Sequence, residues 1–169
     1  DMLAKGEELP VDFKGRFKLM EERVRAMREI WTKSKPEYNG DLVKFPPMMT
    51  WPKPVQKPHP PVIVGGMYPH GARRAIAYGD GWVPHAARPE YGGEDVLAKL
   101  PEFRQMAKDA GRDPATLPIT TFNTPNDVDT LSRFRDAGVD RIVFSIASEA
   151  SDKVLPLLDS MAASMRKVG

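Results

Sequence analysis

The segment Gly65-Gly66-Met67-Tyr68-Pro69-His70-Gly71 follows a short β-branched run, Val62-Ile63-Val64, and leads into a small-residue stretch that carries Arg73 and Arg74. Glycines let a backbone approach a ligand closely, and the free amides at a helix start attract phosphate. Arginines in the opening turn of a helix oppose its dipole, at a cost of a few tenths of a kcal/mol that a bound anion would remove. Anion binding is one reading of this turn. The other is that the glycines only make a tight strand-to-helix reversal and the arginines are solvated. The segment is neither a G-x-G-x-x-G fingerprint nor a Walker loop. His85, just past a second short strand, could exchange a proton near neutral pH, or it is an ordinary loop histidine. Trp82 is either core or a ligand contact. Phe122, Asn123 and Thr124, and Ser145 to Ser148, end two further strands and are candidate walls. His59 and His70 have no partner at the spacing of a helical metal site, so none is expected. Glu21 and Glu22 are expected in solvent, and Asp80 in a turn.

The elements that must position these residues follow from periodicity and punctuation. Phe13, Phe17, Met20, Val24, Met27 and Trp31 recur at spacings of four and three, which predicts a helix from Asp12 to Lys33 with one apolar stripe. From residue 34 to 61 the period vanishes and prolines crowd in at 46, 47, 52, 54, 58, 60 and 61, the mark of a long extended connection. Such connections are usually functional, as a lid or a wall of a site. Four strand-helix repeats then follow. The strands fall at Pro61 to Val64, Gly81 to Pro84, Pro118 to Phe122 and Arg141 to Ile146. The helices fall at Gly71 to Tyr78, at Gly93 to Ala110, after a Thr124 cap with Pro125 at its first position, and at Ser151 to Arg166. The third of these turns Val128, Leu131 and Phe134 inward, and the last is expected to bury Val154, Leu158, Met161 and Met165. Alternation of this kind forces parallel strands, so the class is α/β. An open doubly wound sheet and half of a closed barrel both fit the count. In either, ligands sit beyond the carboxyl ends of the strands.

Composition bounds the function. The chain has 169 residues, 41% hydrophobic and 28% charged, with no cysteine and a net charge of +2 from 25 basic and 23 acidic residues. That is enough for one core and short of the roughly 250 residues of a complete eight-stranded barrel. Charges are interleaved, so nucleic acid is not an expected partner. No apolar run approaches the ~20 residues of a membrane span, and no signal peptide is recognisable, so a cytoplasmic location is expected. Without cysteine, disulfides, thiolate metal sites and a thiol nucleophile are excluded.

The order Arg16, Glu21, Met27-Arg28 and Trp31, then Pro52-Lys53-Pro54-Val55-Gln56-Lys57-Pro58-His59-Pro60-Pro61, then Val64-Gly65-Gly66, Ala72-Arg73-Arg74-Ala75 and Gly79-Asp80-Gly81-Trp82 resembles the bacterial-luciferase-like oxidoreductase superfamily. The likeness continues through Ala137-Gly138-Val139-Asp140-Arg141-Ile142-Val143-Phe144 to the last helix and covers nearly the whole chain. Each motif alone is weak; their joint order and spacing are specific. The resemblance implies a parallel (β/α) TIM-type barrel of which residues 1–169 form a single partial domain, the second half, with four strands and about five helices. It implies hydride transfer to or from a small organic substrate through a flavin or deazaflavin, and the chain's ending looks most like the deazaflavin (F420) branch. FMN-dependent monooxygenation is the alternative, and a non-catalytic half-barrel acting as an interaction module is another. By resemblance the turn holds the cofactor phosphate, which makes Gly65, Gly66, Met67, Tyr68 and Gly71 the expected cofactor-binding set, with Trp82 and His85 as walls. Met67 and Tyr68 stand where family members often carry a small polar residue. Family residues that touch the reactive ring come mostly from the first four strands, so no catalytic residue is assigned and the chain alone is expected to be inactive. A homodimer, or pairing with the other barrel half, is the implied assembly.

Overall fold

A computed structural model describes residues 14–86 and 96–169. The chain divides into two compact units, Asp1–Pro60 and Pro61–Gly169. In the first, helix α1 (Arg16–Thr32) is shorter than the expected span, and Phe13 lies outside the described residues. Its expected core stripe is corrected in part: Val24 is buried as expected and Trp31 half-buried, but Phe17, Met20 and Met27 are exposed, and Leu19, Ala26 and Glu22 are buried. An antiparallel ribbon, β1 (Tyr38–Asn39) with β2 (Lys44–Phe45), lies inside the segment that the prolines suggested was extended throughout. Glu22, expected in solvent, accepts the amide N–H of Leu42 at 2.8 Å and of Val43 at 2.9 Å. Gly40 makes room for it, since a Cβ there would lie 2.4 Å from Glu22 Oε2. The Leu42 amide, with Val43 behind it, favours the ionised carboxylate and holds Glu22 below its ordinary range. Lys53 closes the end of α1, its Nζ donating to Ile30 O at 2.5 Å and to Thr50 Oγ1 at 2.7 Å.

The second unit runs β3 (Ile63–Gly65), α2 (His70–Tyr78), β4 (Gly81–Val83), α3 (Val96–Asp109), β5 (Thr120–Phe122), α4 (Val128–Asp136), β6 (Arg141–Val143) and α5 (Ser151–Val168). β3 pairs in parallel with β4, Val64 opposite Trp82, and β5 with β6, Thr121 opposite Ile142. Parallel bridges from Trp82 to Ile119 and from His85 to Phe122 join the two pairs. The four parallel strands therefore stand in chain order, without the reversal that defines a doubly wound sheet.

Trp82 and Phe103 have no exposed surface and stack with ring centroids 4.8 Å apart. The apolar spacing of α3 puts Val96, Leu97, Leu100, Phe103 and Ala107 on one side; Val96, Leu100, Phe103 and Ala107 are buried and Leu97 is half-buried. Each large side chain so buried contributes roughly 1.5–3 kcal/mol. Two expectations are corrected. α4 begins at Val128 with Asp127 as its cap, the carboxylate accepting Thr130 N–H at 2.8 Å, whereas Thr124 is buried with its hydroxyl 2.9 Å from that of Thr121. On α5, Leu158 and Met165 are exposed, together with Leu155 and Leu157; only Val168 is buried.

Aspartates start both strand pairs in one way. Asp80 donates its N–H to Val62 O at 2.7 Å while its carboxylate accepts Val62 N–H at 2.9 Å. Asp140 repeats this with Ile119, at 2.9 and 2.7 Å. Asp80 is thus a register clamp for β4 on β3 as well as a turn residue. Arginines close the helix ends: Arg112 reaches Ile76 O and Gly79 O at 2.9 and 2.8 Å behind α2, Arg104 reaches Ala137 O at 2.5 Å behind α4, and Arg135 reaches Val168 O behind α5. A cation at these carbonyls complements the negative helix end.

Candidate functional site

The turn between β3 and α2 is built on three glycines with different duties. Gly66 has φ +128°, a conformation that side chains rarely adopt. Its N–H donates to Val83 O at 3.3 Å and its carbonyl accepts from Trp82 Nε1 at 2.8 Å, so the indole supports the turn from below. Gly71 is required by packing: a Cβ there would lie 2.1 Å from Gly66 O and 2.8 Å from Gly66 Cα. Gly65 is exposed, and the nearest atom to a Cβ built on it is Val83 Cγ1 at 3.8 Å. Packing does not ask for glycine at 65, and the bare Cα is open to approach from outside.

Several amides of this turn are uncommitted. Gly71 N–H donates to Met67 O at 2.6 Å and Arg73 N–H to Pro69 O at 2.9 Å. Among the described residues, the N–H groups of Met67, Tyr68 and His70 meet no acceptor; that of Ala72 meets none either, but Ala72 has no exposed surface. α2 has Pro69 at its N-cap and no side-chain cap, so the positive end of the helix dipole carries open donors. Arg74 donates to Gly65 O at 3.2 Å, and Arg73 is exposed on the first turn. A phosphate oxygen is the ligand that this chemistry suits.

The other candidate residues separate into two groups. Trp82 has no exposed surface, so its contribution is support beneath Gly66 rather than an open wall. Thr124 is likewise turned inward. His85 is half-buried beyond β4, its ring edge-on to Phe122 with centroids 5.5 Å apart, and its enclosed Nδ1 meets no partner among the described residues. Phe122 is 45% exposed, and Asn123 after it has φ 57°, the left-handed region that asparagine tolerates. His85, Phe122 and Asn123 thus gather past the carboxyl ends of β4 and β5, while Ser145 and Ser148 are exposed past β6. Sequence reasoning missed Lys99 and Glu102 of α3, which meet Tyr68 across 34 residues of chain; a contact of that separation leaves no local spacing signal.

The sequence model of luciferase-like monooxygenases matches residues 4–126. An uncharacterised protein of Mycobacterium tuberculosis is 33% identical over 149 residues, 87% of this chain and 50% of that protein. An FMNH2-dependent dimethylsulfone monooxygenase of Pseudomonas putida is 39% identical over 51 residues, 30% of this chain and 14% of that one. Among solved structures, an F420-dependent secondary alcohol dehydrogenase in complex with an F420–acetone adduct is similar with a TM-score of 0.62 at 19% identity, over 85% of this chain and 59% of that chain. That likeness concerns the fold, an α/β arrangement similar to luciferase-like TIM barrels. The chain spans about half the length of the curated relatives it matches most fully.

Proposed function

The chain belongs to the luciferase-like monooxygenase family, and from that premise we propose that it is the second half of an oxidoreductase barrel which grips the phosphate of a flavin-type cofactor at the turn Gly65 to Ala72. The observation that carries the reading is the set of uncommitted amides at Met67, Tyr68 and His70 beside an exposed Gly65 that packing does not require. The residues fit the group: Gly65 admits it, Gly66 and Gly71 shape the turn, Met67 and Tyr68 present amides, and Trp82 holds the floor. His85 and Phe122 form a wall toward the rest of the cofactor and a small organic substrate.

The chemistry that such a cofactor supplies is hydride transfer at its ring; the protein's part is to bind, orient and exclude water. The deazaflavin F420 is the favoured cofactor, on the resemblance of the segment from Gly138 through the last helix. The second reading, FMN with oxygen as co-substrate, is favoured by the 39% identity to the FMNH2-dependent enzyme. Residues that touch the reactive ring belong to the other half of the barrel, and this chain alone is inactive. Among the described residues the outer edges of β3 and β6 are unpaired, which suits a homodimer or association with the complementary half. A non-catalytic interaction module would keep the strand edges and lack the cofactor affinity. No helix among the described residues is long and apolar enough to cross a membrane, and a cytoplasmic location is part of the proposal.

Fluorescence titrations of the full chain with F420 and with FMN test the reading. Saturable binding, tighter for F420, is expected. Preference for FMN, with oxygen consumption once the complementary half is supplied, selects the second reading; binding of neither leaves the interaction module.

A further inference from the structure

Carbonyls at one side of the turn are held by Trp82 and Arg74, but its outer stretch has a separate anchor. Tyr68 donates its hydroxyl to Glu102 Oε2 at 2.8 Å, and Lys99 Nζ donates to the other carboxylate oxygen, Oε1, at 2.9 Å. The Lys99 ammonium also stands 5.4 Å from the centroid of the Tyr68 ring. Phenol, carboxylate and ammonium thus close a ring between the turn and α3. Lys99, and after it the Tyr68 hydroxyl, hold Glu102 below its ordinary range, so the acceptor is ionised at neutral pH. The hydrogen bond to Glu102 in turn pushes the Tyr68 phenol up, which keeps its donor proton in place.

Tyr68 lies between Met67 and His70, and its own amide is one of the open donors. Rotation of this short stretch would re-aim the N–H groups of Met67, Tyr68 and His70. We propose that Tyr68, Glu102 and Lys99 form a latch that holds these amides in their anion-binding orientation, making Glu102 a positioning residue for a ligand it does not touch. The inference rests on the anion reading of the turn, and goes beyond it by assigning the turn's geometry to a helix 34 residues away. The group is partly exposed, with side-chain accessibilities of 20% for Lys99 and 50% for Glu102, so its contribution to global stability is small while its local effect on the turn is direct.

The test uses the full chain and the variants Tyr68→Phe, Glu102→Ala, Glu102→Gln and the double variant Tyr68→Phe/Glu102→Ala. Two quantities are read: amide hydrogen exchange at Met67 to Ala72, and the dissociation constant for FMN and for F420. Tyr68→Phe and Glu102→Ala should each accelerate exchange in the turn and weaken cofactor binding on the order of fivefold, about what one hydrogen bond supplies. The double variant should be no worse than either single one, because both break the same link. Glu102→Gln should retain most of the affinity, since its amide oxygen still accepts the phenol proton. Unchanged exchange, additive losses, or faster exchange with unchanged affinity would each overturn the latch. Absence of cofactor binding in the unmodified chain would overturn the anion reading instead, and with it the purpose assigned to the latch, whatever exchange shows.

Discussion

Gly65, Gly66 and Gly71 share a residue type and differ in what demands it, and that difference makes them separable by substitution. Gly71→Ala drives a methyl into the Gly66 backbone and should cost about 2–3 kcal/mol, measured by urea unfolding. Gly65→Ala meets only ordinary contacts and should change stability by no more than about 0.5 kcal/mol, while weakening cofactor binding on the order of tenfold by closing the backbone approach. The paired glycines were legible in the sequence as a turn, but their separate duties were not, because φ and the distance to a neighbouring backbone are tertiary facts. Glu22 makes the same point in reverse. Its carboxylate anchors the Leu42 and Val43 amides, with a titration held below the ordinary value of 4.5. A group depressed in the folded state contributes stability that is present above its unfolded value and is lost as pH falls through the folded one. The first unit should therefore loosen at pH below about 4.5, and Glu22→Gln should lower the melting temperature at pH 7 while flattening that acid dependence. An unchanged acid profile in Glu22→Gln would remove the anchor from this residue.

An apolar period marks a helix face, but what packs against the helix decides whether that face is buried. α3 buries the face that its spacing predicts. α1 does so only at Val24, and its Glu22 instead anchors the turn between β1 and β2, two strands of two residues each that are too short to register in the sequence. α5 gathers Val154, Leu158, Met161 and Met165 on one face, yet it packs with α4 and leaves Leu155, Leu157, Leu158 and Met165 exposed, so the face that its spacing marks is not the one covered among the described residues. The cap of α4 was misplaced by three residues because Thr124 and Asp127 both suit the role, and only the structure shows which accepts an amide. Arginine closure of helix ends had no sequence signal, since Arg112 lies 36 positions from Ile76. Removing it in Arg112→Ala should destabilise the chain by about 1–2 kcal/mol in chemical denaturation, with partial recovery in Arg112→Lys.

For the molecule as a whole, strand-helix alternation made the α/β class legible, and the structure adds what counting could not, that β3, β4, β5 and β6 stand side by side in chain order. Unpaired outer edges and the exposed leucines of α5 should make the isolated chain self-associate. Sedimentation velocity at tens of micromolar should show a dimer or larger species, and a persistent monomer would count against the half-barrel. The function proposed depends on one physical event, the capture of a cofactor phosphate by amides at the mouth of β3. Backbone-amide NMR of the full chain titrated with F420 and with FMN observes that event directly. The expected result is saturable shifts concentrated at Gly65, Met67, Tyr68 and His70, reproduced in part by inorganic phosphate. Shifts absent from that turn, or confined to residues elsewhere while cofactor binds, would contradict it.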